Sequence, residues 1–200
     1  MKKNLLIITW SIMMQHSVVA QSKSGIENYH FLSSEQTYVW MPVIHQQGKK
    51  GFYTELRYNY EALETASFYA GKIFNKEDTW SYSVTPMLGL VFGKLNAASV
   101  AVNLEVSYKK TFISMQSQYT VSSHSGRDNF FFNWMELGYE PFKWFYAGIS
   151  TQLTKMQQAG VEAEFGLLVG FKVKKFTVPL YVFNPLSKNK NFIIGLNTEW

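Results

Sequence analysis

Apolar and polar residues alternate along most of this chain. Tyr82, Val84, Pro86, Leu88, Leu90 and Phe92 interleave with Ser81, Ser83, Thr85, Met87, Gly89 and Gly93. Ala98, Val100, Val102, Leu104, Val106 and Tyr108 interleave with Ser99, Ala101, Asn103, Glu105 and Ser107. Successive side chains of a strand point to opposite faces, so each run predicts a strand with one apolar face and one small or polar face. The same period recurs over 52–60, 66–71, 112–121, 131–139, 145–153, 159–171, 176–182 and 191–200, although Asn133 falls on an apolar side. Two further runs, 26–32 and 37–46, are separated by the turn-forming Ser33-Ser34-Glu35-Gln36. Helical periodicity is confined to 61–66, which would make a single helical turn. Pro86 and Pro179 fall inside runs; lacking an N–H, each is expected to mark a bulge or a break in pairing.

Most runs have the ~9–11 residues that a tilted strand needs to cross a bilayer. No segment after residue 20 approaches the ~18 apolar residues of a spanning helix. Aromatics make up 17% of the chain, yet mean hydropathy is only −0.12. Both follow if one face meets lipid and the other a polar interior, since the faces cancel in any average. The fold class predicted is all-β: a transmembrane antiparallel up-and-down β-barrel of about 12 strands, single-domain over 21–200. Bacterial single-chain barrels usually have an even strand count, which favours using both 26–32 and 37–46. The alternative is 10 strands, with 21–46 as a periplasmic tail or plug. Lys2 and Lys3, the apolar stretch 5–14 and Val18-Val19-Ala20 before Gln21 read as a cleaved signal peptide over 1–20. The chain has no cysteine, which excludes disulfides, thiolate nucleophiles and thiolate metal sites.

In the last run, Phe192, Ile194, Leu196, Thr198 and Trp200 share one face, and Gly195 lies on the other. This stretch resembles the C-terminal assembly signal of Gram-negative outer-membrane barrels, with Gly195 and Trp200 in the matching places; Thr198 departs from the bulky apolar residue usual there. The stretches 51–60 and 136–139 are similar to those of small outer-membrane barrel proteins of that class. The resemblance covers nearly the whole chain. It implies an outer-membrane location, outer-membrane lipids as surroundings and the barrel-assembly machinery as a partner during biogenesis. It implies no activity. Turns expected on the periplasmic side carry Lys49, Lys50, Lys76, Lys109, Lys110, Lys143, Lys174 and Lys175. These suit inner-leaflet phosphates or simply solvent. Outer loops are expected near 61–65, 94–97, 122–129, 155–158 and 185–191.

The inward parity collects Glu55, Arg57, Glu105, Glu136, Glu162, Glu164 and Glu199. An arginine inside a barrel wall needs carboxylates, and Arg57 is expected to meet at least one from Glu55, Glu105, Glu136, Glu162 or Glu164. The carboxylate excess suits a lumen for a small solute or cation. It equally suits an interior filled by braced side chains, which inward Tyr53, Tyr69, Trp134, Tyr146 and Tyr181 favour. The leading function is a structural barrel or a narrow pore, with no catalysis and no cofactor. The alternative is a lipid-modifying enzyme of the lipid A deacylase kind, for which His124-Ser125 in an outer loop is the only suggestive pair. His30, His45 and a glutamate match no common metal-ligand spacing. Nucleic acid is set aside, because the basic residues are scattered over turns.

Overall fold

The structure is a computed structural model that describes residues 22–33 and 38–200. The proposed signal peptide and most of the turn over 33–36 lie outside the described residues. Thirteen strand segments follow one another: β1 Lys23–Ser33, β2 Val39–Gln47, β3 Phe52–Tyr58, β4 Thr65–Lys72, β5 Phe74–Lys76, β6 Trp80–Gly93, β7 Ala97–Tyr108, β8 Thr111–Ser122, β9 Phe130–Phe142, β10 Phe145–Met156, β11 Val161–Val173, β12 Phe176–Phe183 and β13 Asn191–Glu199. β4 and β5 are two pieces of one strand, since both pair with β6. Every neighbouring pair is antiparallel, and β1 pairs with β13 from Gly25↔Glu199 to Ser33↔Asn191. The result is a closed antiparallel barrel of 12 strands. Both early runs are strands of the wall, so the ten-strand alternative with a tail or plug is set aside.

Closure pairs the strands around the wall, as a sheet in lipid requires, with only the short β5 paired on one side alone. The two prolines interrupt it where their missing N–H demands. β4 pairs with β6 as far as Gly71↔Met87, and β5 resumes at Phe74↔Val84 in the same register; the gap lies opposite Pro86. Likewise β12–β13 pairing skips from Thr177↔Asn197 to Leu180↔Ile194, across Pro179.

The sequence parity is the parity of the wall. Leu56, Leu88, Leu90, Val100, Leu137, Leu167 and Ile194 are exposed on the outside. Tyr53, Glu55, Arg57, Tyr69, Trp134, Tyr146 and Tyr181 are buried inside. Asn133, on the outer face, donates from Nδ2 to Ser117 Oγ on β8 at 2.7 Å, so this wall position carries its own polar partner. Rings gather at both ends of the outer wall. Phe52, Phe74, Trp80, Phe142, Trp144 and Trp200 ring the rim that carries the termini, and Tyr38, Trp40, Phe92, Phe165 and Phe192 ring the opposite rim. Such paired girdles are the interfacial belts of a membrane barrel.

Two inner clusters fill much of the cross-section. One joins Tyr29, Trp134, Tyr146, Leu168, Tyr181, Phe183 and Ile193; the other joins Tyr53, Tyr69, Met87 and Ala101. Inward glycines make room for the rings: a Cβ on Gly89 would overlap the Tyr69 ring, and one on Gly170 the Tyr146 ring.

Candidate functional site in the lumen

The loop between β3 and β4 does not continue outward. Asn59 takes a left-handed backbone with φ 55°, which asparagine tolerates better than most residues. Its side chain holds the turn, donating to Trp40 O at 3.0 Å and accepting from Glu64 N at 2.7 Å. The next two residues therefore enter the lumen. Tyr60 was expected on the outer face of β3. Instead the strand ends at Tyr58, and the Tyr60 hydroxyl donates to Gln116 on the opposite wall. The segment 61–66 forms no helix.

Glu61 reaches Arg57 Nη1 at 3.4 Å, with side-chain exposures of 0% and 2%. It also accepts from Ser67 Oγ at 2.8 Å and from the Tyr69 hydroxyl at 3.0 Å. Arg57 Nε bonds Glu55, and Nη1 donates to Gln118 Oε1 on β8 at 2.7 Å. The guanidinium lies over the Tyr60 and Tyr69 rings, 4.6 and 4.3 Å from their centroids. A buried guanidinium is tolerable only with this degree of pairing. So Arg57 does face inward. Its carboxylates are Glu55 on its own strand and Glu61 from the loop, and its contact on a distant strand is an amide.

The other inward glutamates separate. Glu136 accepts from the Tyr181 hydroxyl at 2.8 Å. Glu105 lines both cavities described below. Glu199 stands at the terminal rim beside Lys23 on one of them. Glu164 binds Asn184 and Asn191 near the opposite rim, and Glu162 is exposed there, away from both cavities. Lys172 pairs with Glu140, and Lys109 stays on its turn over the Tyr108 ring.

A cavity of about 290 Å³ runs inward from the terminal rim past Lys23, His45, Tyr53, Glu105 and Glu199, reaching Tyr60 and Glu55. A second, of about 170 Å³, adjoins it and shares Glu27, Glu105, Ser114 and Gln116 with it. Glu27 was not singled out in the sequence; it faces inward on β1, accepts from the Tyr29 hydroxyl at 2.7 Å and lies 3.8 Å from His45 Nε2. His30 points to the outer face and stacks on Tyr38, so it cannot share an ion with His45. Among the described residues, no group of three histidines or carboxylates is spaced to hold a metal. In the loop between β8 and β9, His124 contacts Ser123 Oγ at 3.1 Å, and Ser125 caps a short 3-10 turn. Neither contact supplies the base and orienting carboxylate of a hydrolytic triad.

No protein-family model matches the sequence, and no curated protein matches it. Solved structures do. The barrel is similar to the KdgM porin, at TM-score 0.64 and 13% identity over 87% of this chain and 98% of that one. The KdgM porin in complex with disordered oligogalacturonate gives TM-score 0.66 at 12% identity, covering 87% and 98% of the two chains. The NanC porin gives 0.62 at 11% identity, covering 88% and 98%. Strand count, closure and near-complete coverage agree: this chain is a closed 12-strand antiparallel β-barrel with the fold of the KdgM and NanC porins.

Proposed function

We propose that the barrel is a narrow pore for small solutes and carries out no catalysis. The observation that carries this reading is the lumen itself. A continuous acidic cavity enters from the terminal rim and ends where the inward loop crosses, at Tyr60–Gln116 and the Arg57 cluster. The lumen is therefore wide on the side of the termini and constricted near the opposite rim. That oligogalacturonate was captured with the KdgM porin supports solute passage through this architecture. The terminal rim would be periplasmic, with the outer membrane reached through export and cleavage after Ala20. A purely structural barrel is the second reading, favoured by how tightly the Arg57 cluster fills its level.

Planar-bilayer recording separates the two. A pore should show small discrete steps that grow when Tyr60 and Glu61 are both replaced by alanine. Silence from wild type and variant alike would leave the structural barrel. Turnover of outer-membrane lipid by the purified barrel would overturn both.

A further inference from the structure

Three consecutive turns of the terminal rim share one design. Lys109-Lys110 joins β7 to β8, Lys143-Trp144 joins β9 to β10, and Lys174-Lys175 joins β11 to β12. Each is two residues long, its lysines are exposed, and it holds no acid. The nearby carboxylate of Glu140 is taken by Lys172. The arc is bounded by the turn before it, where Lys76 pairs with Asp78 at 3.6 Å. The opposite rim mixes signs: Lys94 pairs with Glu64 at 2.8 Å, and Arg127 neighbours Asp128. The lysines of the arc stand on the girdle. Lys109 Nζ lies 5.1 Å from the centroid of Tyr108, which stacks on Trp80, and Lys175 Nζ lies 5.7 Å from that of Phe176. Trp144, beside Lys143, stacks on Phe142. The backbone adds a separate sign. Lys109 and Lys174 hold left-handed φ of 54° and 56°, where glycine is the easy choice. A lysine at the same place in two turns, against that preference, is accounted for by a use for its ammonium.

We propose that this arc binds the headgroups of anionic phospholipid in the leaflet that the terminal rim meets. Interfacial rings fix the depth of a barrel in a bilayer, so ammoniums resting on those rings lie at the level of the phosphates. An ammonium offers three donors on a flexible stem and binds phosphate as a point charge, which suits a fluid headgroup layer. Neighbouring turns are two strands apart, about 10 Å by the usual strand spacing, so a phosphate between them meets lysines from both. An anionic surface attracts each basic residue near it, and no free carboxylate within the three turns offsets that attraction here. A soluble polyanion has less to gain. Lys109 and Lys175 lean on rings of the outer wall, where the exposed Trp80, Phe142 and Trp144 call for acyl chains. A solute inside the barrel meets Glu105 and Glu199 instead. The proposal needs the barrel to cross a membrane and is independent of the pore reading.

The test is quenching of tryptophan fluorescence in the refolded barrel by lipids brominated on their acyl chains. The vesicles are phosphatidylcholine carrying increasing phosphatidylglycerol, and competition gives the affinity of one lipid relative to the other at the wall. Phosphatidylglycerol should win by about fivefold at low salt, the attraction of a single lysine to an anionic surface. The preference should fall towards unity as salt is raised. The K109Q/K143Q/K174Q/K175Q variant should lose it, whereas K155Q/K188Q/K190Q, altered at the opposite rim, should keep it. Equal affinity for the two lipids in wild type overturns the proposal, and that comparison needs no variant. So does full preference in a folded four-lysine variant. Loss of the preference to inorganic phosphate at matched ionic strength would assign the arc to a soluble anion and overturn the proposal as well. Conductance reads the pore separately, so a silent barrel that still prefers phosphatidylglycerol would overturn the pore and keep the arc.

Discussion

Replacing Arg57 with methionine should destabilise the barrel by about 3–5 kcal/mol, the usual cost of removing one partner from a buried ion pair. The figure follows from the burial of what remains. Side-chain exposure is 5% for Glu55, which only touches the end of the rim cavity, and 0% for Glu61, which has no water to turn to in place. Without the cation, nothing offsets the desolvation of the two carboxylates. Moving the loop outward would free Glu61, and it forfeits the bonds of Glu61 to Ser67 and Tyr69. Methionine matches the length and apolar stem of arginine, so packing against the Tyr60 and Tyr69 rings is largely kept. The assay is reversible urea unfolding of the refolded barrel in lipid vesicles. A second variant isolates the cause: R57M combined with E55Q and E61Q removes the orphaned charges and should recover most of the loss. A loss below about 1 kcal/mol for R57M, a value typical of exposed ion pairs, would refute the buried cluster and imply a wet lumen at this level. Failure of the triple variant to recover stability would show that arginine packing, not charge, is what matters.

The membrane-extracted barrel should migrate faster unheated than boiled on a denaturing gel; identical mobility in every detergent would count against a closed barrel. Removing Trp200 should lower the amount assembled in the membrane, because its backbone N–H and C=O both bond Ser24 at 2.9 Å and complete the seam; normal levels of a chain ending at Glu199 would contradict the assembly role of Gly195 and Trp200. Gly170→Ala should cost about 1–3 kcal/mol of overpacking against the Tyr146 ring, read as a lower urea midpoint; an unchanged midpoint would mean that the ring is free to move.

Face assignment was legible because it needs only a period of two, which sterics impose on any strand. Arg57, Glu55 and Glu136 therefore faced inward as expected. Glu27 shares the parity of Tyr29 and Phe31, so its short run has an aromatic inner face on which one carboxylate at the start carries little signal. Gln116 and Gln118 were on the inward parity, but neutral amides give no electrostatic signal until a guanidinium or phenol is placed opposite them. Tyr60 and Glu61 were beyond the period altogether. Their direction depends on one backbone angle at Asn59, and on Arg57 having no distant carboxylate within reach. The only hint was an Asn two residues before a Glu at the end of a strand. The proline breaks were legible for the opposite reason, since a missing N–H has the same consequence in any sheet.

The wall's register carries a lesson about how such a chain reaches its shape. Every pairing but one joins segments that follow each other directly, so each can form as the preceding hairpin finishes, with a short loop to close. The exception is β1 with β13, whose partners Gly25 and Glu199 lie at opposite ends of the chain. Bringing them together in a flexible chain costs about 4.5 kcal/mol of loop entropy by logarithmic scaling, against well under half that for a hairpin. Because nothing earlier in the order brings them together, that cost falls on a single late event. Until it occurs, two long strands present unpaired backbone to their surroundings, the state in which a partner that holds edges open and apart would matter most.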